Sequence, residues 1–415
     1  MTTPPCRSCA APLQHTFVNL GMSPLSNSYL SREDLRKMEP FYPLHALVCE
    51  RCFLVQLEQF ESPENIFRSY AYFSSYSDSW LDHVRRYVDE TTQRFALSEK
   101  NLVVEIASND GYLLQYFKAK GVPVLGIEPA QNVAEVARKK GISTLTKFFG
   151  ASVARELSTG GQSADLIVAN NVLAHVPDLN DFVDGLKILL KPHGIITVEV
   201  PHLARLIEGH QFDTIYHEHF SYFSLLALDG VFRKHGLTVS DVDQLSTHGG
   251  SLRLYIRHAG DGESDGGKPS QERLSRVRDL ESAAGLYSLK TYQDFEEKVR
   301  KTKRGLLEFL IDAKERGKSV AAYGAPAKGN TLLNYCGIGK DFIDYTVDIS
   351  PHKQGRFLPG THIPILHPDE LRRTRPDYVL LLPWNLREEI LEQLADIRRA
   401  GSRFVLPIPS VEVIE

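Results

Sequence analysis

The 415-residue sequence lacks several features that would tie it to a membrane, an export route or a nucleic acid. No apolar run approaches the ~20 residues that span a bilayer. The first residues, MTTPPCRSCAAPL, contain no basic region followed by an apolar core, so we predict no secretory signal. Positive charge is not in excess, because 48 Lys and Arg stand against 52 Asp and Glu. We therefore expect a cytoplasmic protein that binds neither membranes nor nucleic acids.

Cysteine is scarce, yet four of the five cysteines form two Cys-x2-Cys pairs. Disulfides are not expected in a reducing cytosol, and two such pairs are typical of a tetrahedral zinc site. Four thiolates leave no open position on the metal, which indicates a structural site. The alternative is four unconnected free cysteines. The predicted ligands are Cys6, Cys9, Cys49 and Cys52, whereas Cys336 is expected to be a buried small hydrophobe.

The remaining composition, 42% hydrophobic and 24% charged, is that of a soluble globular protein with two or three domains. Strand-like runs, YPLHALVC and CFLVQLEQF, surround the second cysteine pair as in a zinc ribbon, so residues 1–75 are assigned to a zinc-binding domain. A Tyr/Phe/Ser cluster at 69–76 is interpreted equally well as core or as the wall of a cleft.

Strands and helices alternate in the next segment, 76–257. Apolar runs at 102–106, 122–127 and 165–169 predict strands, and each is followed by a helical pattern. A helix over 80–97 precedes them, and a strand at 251–256 completes the set. This alternation predicts a doubly wound sheet whose ligands bind at the carboxyl ends of its parallel strands.

Polar residues stand at those strand ends. The turn after the first strand lacks the full G-x-G-x-x-G of a dinucleotide fold, and Glu128 closes the second strand where it can accept both hydroxyls of a ribose. This layout resembles that of S-adenosylmethionine methyltransferases more than that of nicotinamide-binding proteins. The candidate cofactor residues are Glu105, Ala107, Ser108, Asn109, Asp110, Gly111, Glu128, Asn170 and Asn171.

The segment 198–223, VEVPHLARLIEGHQFDTIYHEHFSYF, gathers Tyr216, His217, Glu218, His219 and Tyr222 into one short stretch near its end. Imidazoles beside a carboxylate can accept protons near neutral pH, which is the task of a general base. The alternative is a solvated loop, or a helix start whose histidines cap backbone groups.

A second strand–turn–helix pattern begins at residue 319, after a polar linker at 257–285 and a helical segment at 291–316. Gly324 and Gly329 permit a tight turn, the following helix offers N–H groups to an anion, and Lys328 adds positive charge. Asp348 ends the next predicted strand. We predict linker and helices at 258–300 and an α/β domain at 301–415 that binds a phosphate-bearing ligand; a scaffold without a ligand is the alternative.

Taken together, these motifs resemble the S-adenosylmethionine-dependent C-methyltransferases of nucleotide-linked deoxyketosugars, which add branching methyl groups at C-3 or C-5 of dTDP-sugars. The resemblance covers nearly the whole chain. It is carried by the paired Cys-x2-Cys, E-I-A-S-N-D-G-Y, G-I-E-P, Asn-Asn followed by His175, E-V-P-H with Y-H-E-H-F-S-Y, and Y-G-A-P-A-K-G-N. It implies an α/β protein with a small N-terminal zinc-binding unit, a central Rossmann-like methyltransferase domain and a second Rossmann-like domain.

The resemblance also implies a reaction: a base forms an enolate beside a ketone, and the enolate carbon is methylated, at C-3 in preference to C-5 of a dTDP-linked 4-keto-deoxysugar. It makes His219 the base and Tyr216 the stabiliser of the enolate oxygen. Glu218 and His175 would orient these groups or share charge, and Tyr70 would line the sugar pocket. The implied substrate-binding residues are Tyr222, Tyr323, Gly324, Lys328, Asn330 and Asp348.

The implied cofactors are S-adenosylmethionine and a structural Zn²⁺, with no magnesium, and the protein is expected to be a monomer. Three other functions stay open. An O- or N-methyltransferase acting on a nucleotide sugar needs no ketone. A bifunctional NAD(P)-dependent reductase–methyltransferase would use Gly324 and Asp348 for its nicotinamide cofactor, although that turn lacks the spaced triple glycine. A zinc-ribbon protein with a degenerate methyltransferase domain would bind partners without catalysis.

Overall fold

A computed structural model describes residues 3–67, 74–76, 78–261 and 267–415. Its strands form three sheets, one in the N-terminal part of the chain, one in the central part and one in the C-terminal part. In chain order the strands are β1 His15–Ser23, β2 Tyr42–Val48, β3 Val55–Leu57, β4 Val103–Ile106, β5 Val124–Ile127, β6 Thr144–Leu145, β7 Ala164–Asn170, β8 Leu190–Pro201, β9 Ser221–Tyr222, β10 Leu237–Leu245, β11 Ser251–His258, β12 Val320–Tyr323, β13 Thr346–Val347, β14 Ile365–Leu366, β15 Tyr378–Leu381, β16 Arg403–Leu406 and β17 Glu412–Ile414.

Most α-helices lie, along the chain, between the strands of the central sheet (β4–β8, β10 and β11) or between those of the C-terminal sheet (β12–β17). In chain order they are α1 Pro63–Phe67, α2 Asp78–Arg94, α3 Leu114–Ala119, α4 Gln131–Lys139, α5 Ala151–Thr159, α6 Leu179–Leu189, α7 Leu203–Glu208, α8 Leu225–Lys234, α9 Gly267–Ala283, α10 Leu289–Gln293, α11 Phe295–Glu315, α12 Ala327–Cys336, α13 Asp369–Thr374, α14 Arg387–Gln393 and α15 Ala395–Arg399. Among these described helices, none combines the length and the hydropathy needed to cross a bilayer.

The central sheet has the strand order β10-β11-β8-β7-β4-β5-β6. β4 pairs in parallel with both β5 and β7, and β7 pairs in parallel with β8. The four β4 residues are all buried, because helices cover both faces of the sheet. This arrangement confirms the predicted α/β class and brings the carboxyl ends of β4, β5 and β7 together.

The N-terminal sheet has the order β1-β2-β3-β9, so its last strand comes from the middle of the chain. Val55 pairs with Tyr222 and Gln56 with Ser221 in antiparallel register. The Y-H-E-H-F-S-Y segment therefore runs directly into the sheet of the cysteine-bearing unit. The sequence did not predict this pairing.

The third sheet, β14-β13-β12-β15-β16-β17, is parallel except for the pairing of β17 with β16. β12 leads into the turn that begins at Gly324, and α12 follows, as the sequence predicted. Cys336 is buried at the end of α12.

Part of the predicted linker is helical. α9 lies within the polar stretch 257–285 and buries Leu274 and Val277, which are three residues apart on one face. Its Glu281 is also buried and accepts hydrogen bonds from His202 Nε2 at 2.8 Å and from the backbone N–H of Leu226 at 3.0 Å. The sequence predicted a linker at 257–285 because the few apolar residues there are scattered among charged residues, and the helix α9 was not predicted.

Candidate active site

The four predicted zinc ligands come together. Their Sγ atoms all lie within 4.8 Å of one another. Cys6 and Cys52 are 3.6 Å apart and Cys9 and Cys49 are 3.5 Å apart, far beyond a disulfide bond of about 2 Å. Tetrahedral zinc with Zn–S bonds of about 2.3 Å requires S···S distances of about 3.8 Å. The cluster therefore fits a four-cysteine zinc site, where the metal would supply structural cross-linking.

Glu128, at the end of β5, organises the turn after β4. Its Oε2 accepts the backbone N–H of Asn109 at 2.9 Å, and its Oε1 accepts that of Ala130 at 2.8 Å. Burial raises the pKa of this carboxyl, while the two N–H groups oppose the rise. Each oxygen keeps a second lone pair, so the side chain can still accept hydroxyls from a ligand.

The backbone around this turn is strained in the way that functional loops often are. Ala107 has φ 58°, Asn109 has φ 49° and Asn171, after β7, has φ 54°, all in the left-handed region that non-glycine residues avoid. Gly111 has φ 75°, and a Cβ there would lie 3.1 Å from Ile142 Cγ1. The positive φ favours glycine at this position, and a side chain there would also press against Ile142.

Several polar atoms at these strand ends are buried without a hydrogen-bond partner among the described residues. Buried polar side chains are usually hydrogen-bonded, so a cluster of exceptions indicates a site for a polar ligand. The atoms are Glu105 Oε2, Ser108 Oγ, Asp110 Oδ1, Asn170 Oδ1, Asn170 Nδ2 and Asn171 Nδ2. These donors and acceptors fit the amino, carboxylate and hydroxyl groups of S-adenosylmethionine, and all belong to residues predicted to bind it.

The second predicted cluster centres on His219. Its Nδ1 lies 2.9 Å from the backbone oxygen of Thr214, and its Nε2 lies 2.8 Å from the hydroxyl of Tyr216. Because a carbonyl oxygen only accepts, Nδ1 carries the proton in the neutral ring, and Nε2 accepts from the Tyr216 O–H. Burial lowers the pKa of His219 well below its ordinary value, and the neighbouring His175 lowers it further.

His175, in the loop after β7, packs against the His219 ring. The two imidazole centroids are 4.7 Å apart with an interplanar angle of 70°. Burial lowers the pKa of His175 to about 4, although a hydrogen bond to the backbone of Glu218 opposes the change. Tyr222 completes the group, edge-on to His219 at 6.2 Å between ring centroids. Burial therefore favours the neutral form of both histidines.

Glu218 is buried beside them and receives a hydrogen bond from a residue that the sequence did not single out. Asn27 Nδ2 donates to Glu218 Oε1 at 2.7 Å. Burial raises the pKa of the Glu218 carboxyl to about 7, and this hydrogen bond opposes the rise. The hydroxyl of Tyr29, two residues after Asn27, donates to the backbone oxygen of Ala325 at 2.5 Å. One N-terminal segment thus contacts both the histidine cluster and the C-terminal turn.

Asp348 fixes that C-terminal turn. Its Oδ2 accepts the backbone N–H of Ala325 at 2.8 Å, and its Oδ1 accepts that of Ser350 at 2.8 Å. Lys353 Nζ lies 3.4 Å from Oδ2. Gly324 has φ 86°, and a Cβ there would lie 2.6 Å from Pro383. The turn is therefore held in one conformation from both sides.

Lys328 is connected to the segment of His219 through Trp384 and Asp213. Its Nζ sits 3.9 Å from the centroid of the Trp384 ring and donates to Asn385 Oδ1. Trp384 Nε1 in turn donates to Asp213 Oδ2 at 2.7 Å, one residue before the Thr214 carbonyl that holds His219. Burial lowers the pKa of Lys328 to about 8, while Asp213 opposes the change.

The side chains of two predicted substrate-binding residues, Asn330 and Tyr323, are hydrogen-bonded to other parts of the protein. Asn330 is buried, and its Nδ2 donates to the backbone oxygen of Ser26 at 2.6 Å, so it bonds the N-terminal segment. The Tyr323 hydroxyl donates to Gln393 Oε1 at 3.2 Å. Tyr70 lies outside the described residues, as does much of the cluster at 69–76. Ser74, near its end, donates its N–H to Asn109 Oδ1 at 3.1 Å.

Sequence reasoning also missed Trp80, which lies beside the cofactor turn. Its ring is stacked at 6.2 Å from Tyr112 and at 5.0 Å from His83, and it meets His248 edge-on at 5.4 Å. The chain has only two tryptophans: Trp80 contacts Tyr112, and Trp384 donates to Asp213. The small number of tryptophans was the feature of the sequence that could have drawn attention to these two residues.

Comparison with known proteins covers all three parts of the chain. A zinc-binding domain family matches residues 6–67, a methyltransferase domain family matches 80–242, and a C-methyltransferase C-terminal domain family matches 246–409. C-methyltransferase NovU of Streptomyces niveus is 37% identical over 409 residues, covering 99% of this chain and 96% of that protein.

More distant similarity is confined to shorter stretches. A ubiquinone biosynthesis O-methyltransferase of Bartonella bacilliformis is 29% identical over 97 residues, which cover 23% of this chain and 39% of that one. The solved Burkholderia thailandensis 1,6-didemethyltoxoflavin-N1-methyltransferase is 18% identical with a TM-score of 0.37, covering 49% of this chain and 94% of that one. The full-length match confirms the family predicted from the sequence: the chain belongs to the S-adenosylmethionine-dependent C-methyltransferases, of which NovU is a relative.

Proposed function

We propose that this C-methyltransferase acts on a dTDP-linked 4-keto-deoxysugar and methylates a carbon next to the ketone, C-3 in preference to C-5. The observation that carries the proposal is the fixed tautomer of His219, whose Nε2 is an unprotonated acceptor beside the Tyr216 hydroxyl. A sugar carbon becomes nucleophilic only when a base removes its proton beside a carbonyl. A neutral imidazole paired with a phenol supplies both the base and the oxyanion donor.

The spacing of the two groups suits that step. The α-carbon and the oxygen of a ketone are about 2.4 Å apart, given ordinary C–C and C=O bond lengths. His219 Nε2 and the Tyr216 oxygen are 2.8 Å apart, so they can address these two atoms side by side. The Tyr216 hydroxyl then turns from Nε2 to the ketone oxygen, and Nε2 takes the α-proton. The Thr214 carbonyl accepts from Nδ1–H and stabilises the imidazolium that forms.

The cofactor is assigned to the strand ends of the central sheet. When bound there, S-adenosylmethionine supplies the electrophilic methyl group for the enolate carbon. Glu128 would hold its ribose, and the unpartnered atoms of Asn170 and its neighbours would hold its polar groups. Four thiolates would hold Zn²⁺ in the N-terminal unit.

The nucleotide is assigned to the C-terminal turn, where Lys328 offers a positive charge 3.9 Å from the Trp384 ring centroid. Gly324 and Asp348 shape the backbone that would face the pyrophosphate. We propose the domain boundaries predicted from the sequence, which are 1–75, 76–257, 258–300 and 301–415. The monomeric state and the cytoplasmic location stay predictions.

The proposal is tested by incubating the purified protein with S-adenosylmethionine and a panel of dTDP-4-keto-6-deoxy sugars, with and without a 3-amino group. We expect one added methyl by mass spectrometry, located on carbon by NMR, and exchange of the α-hydrogen in D₂O. Methylation on oxygen or nitrogen without such exchange would replace the proposal with an O- or N-methyltransferase. No methylation of any sugar, despite cofactor binding, would refute the substrate class.

A further inference from the structure

The loop of the first cysteine pair, Cys6 to Cys9, docks on the methyltransferase domain. Asn180 Nδ2, in α6, donates to the backbone oxygen of Arg7 at 2.7 Å. Lys234 Nζ, at the end of α8, donates to the backbone oxygen of Ser8 at 2.6 Å. Two helices of the central domain therefore hold this loop by its backbone.

The Arg7 side chain reaches past this contact to both loops that carry the clustered histidines. Its Nη1 donates to the backbone oxygen of Pro177, two residues after His175. Its guanidinium carbon lies 5.4 Å from the centroid of the Phe220 ring, and Phe220 directly follows His219. One cation thus touches both loops at once.

Backbone hydrogen bonds complete this junction. Arg7 Nη2 donates to the backbone oxygen of Leu57, in β3. The N–H of Leu57 donates to the oxygen of Phe220 at 3.0 Å, and the N–H of Phe220 donates to the oxygen of Ala174 at 2.7 Å. Arg7 therefore joins a series of hydrogen bonds that connects β3 with the two loops.

The same residue is connected to the cysteine site. Its backbone N–H donates to Gln56 Oε1 at 2.9 Å, and Gln56 Nε2 donates to Cys6 Sγ at 3.2 Å. Four thiolates around one Zn²⁺ carry net negative charge, which favours a nearby guanidinium. Hydrogen bonds of this kind beyond the ligands orient metal ligands and their surroundings.

We propose that Arg7 is a positioning residue for carbon methylation, transmitting the geometry of the cysteine site to the loops of His175 and His219. The inference rests on the proposed function, in which these histidines serve the reaction. A displacement of about 1 Å in a reacting group can cost about 100-fold in rate. Without the guanidinium, the Pro177 and Leu57 carbonyls lose their common donor and the two loops lose a shared anchor.

The chain provides a matched control in its second cysteine pair, Cys49-Glu50-Arg51-Cys52, because Arg51 is exposed. In the full-length, zinc-loaded enzyme we expect Arg7→Met to lower kcat about 10- to 100-fold. KM for the nucleotide sugar and the zinc content should stay at wild-type values, since the C-terminal turn is untouched. Arg7→Lys should recover part of kcat, because an ammonium can donate to one of the two carbonyls. Arg51→Met should match the wild type.

A second measurement needs no substrate. Histidine-ring ¹⁵N NMR spectra should show shifted His175 and His219 resonances in the Arg7→Met protein but not in the Arg51→Met protein. Equal kinetics and equal spectra for the two Met variants would overturn the proposal, and if Arg7→Met does not fold, a wild-type kcat and spectrum for Arg7→Lys would do the same. Failure of the wild type on every ketosugar would refute the proposed function instead, and the spectra would still test Arg7.

Discussion

The hydroxyl of Tyr216 donates a hydrogen bond of 2.8 Å to Nε2 of His219, and the Thr214 carbonyl holds the opposite nitrogen of the same ring. The imidazole therefore presents its Nε2 lone pair to the Tyr216 hydroxyl.

Replacing His219 with Asn should remove the base while leaving a polar side chain of smaller volume. We expect kcat to fall about 10²- to 10⁴-fold, the usual contribution of a positioned general base, and α-hydrogen exchange in D₂O to stop. The matched control is His217→Asn, because His217 faces Tyr42 and the Pro43 carbonyl instead of the His175–His219 pair. Turnover close to the wild-type rate in His219→Asn would exclude His219 as the base.

Glu218→Gln should make the protein more stable at alkaline pH. The folded-state pKa of about 7 lies above the ordinary value of 4.5, so the carboxyl favours folding below pH 4.5 and loses that contribution as the pH rises through 7. The difference corresponds to about 3 kcal/mol at pH 8. Gln keeps the oxygen that accepts from Asn27.

Urea unfolding at pH 5 and pH 8 would measure this difference. The stabilisation by Glu218→Gln should be largest at pH 8, and Glu135→Gln, on the exposed face of α4, is the control. Equal effects of Glu218→Gln at both pH values would mean that the Glu218 carboxyl is not unusually protonated.

Glu128→Gln should weaken binding of S-adenosylmethionine. The amide has only one acceptor oxygen, so either Asn109 or Ala130 loses the partner of its backbone N–H and the cofactor turn is disturbed. An unsatisfied buried group costs about 1–3 kcal/mol, which predicts a Kd increase of about tenfold or more. Isothermal titration calorimetry with Glu135→Gln as the control would measure it, and an unchanged Kd would remove Glu128 from the cofactor site.

Lys328→Arg should change the alkaline side of the pH profile. In the free enzyme the Lys328 ammonium loses its proton as the pH rises through about 8, whereas arginine stays charged. If this charge binds the nucleotide, kcat/KM of the wild type falls up to tenfold per pH unit above 8 and that of Lys328→Arg does not. Lys318→Arg, which keeps the contact with Asp377 at the far end of β12, is the control. Parallel declines in both variants would assign the titration to another group.

Local patterns predicted the parts of the site that lie within one strand–turn–helix unit. The apolar runs became β4, β5 and β7, and the residues after them, such as Glu128 and Asn170, meet at one edge because parallel strands end there. The Gly324 turn and Asp348 likewise follow from one βαβ pattern. In each case the position of a residue directly after a predicted strand was enough to predict where it lies in the sheet.

The remainder depends on contacts between distant segments, for which a single sequence carries little signal. Asn27 and Glu218 are 191 residues apart, and Asp213 and Trp384 are 171 apart. Neither pair shares a motif, and the polar Asn27 segment is typical of any surface loop. The role of Lys328 was predicted from its turn alone, without the tryptophan ring that covers it.

The pairing of β9 with β3 has a consequence for the order in which the chain folds during synthesis. The strands β1 to β3 of the cysteine-bearing unit are made first, but β9, which completes their sheet, is made only after residues 58–220 have followed. Until then β3 presents an unpaired edge, the kind of edge that recruits foreign strands. Ribosome-bound chains that end before residue 221 should therefore depend on chaperones, and the N-terminal unit should mature together with the domain it precedes.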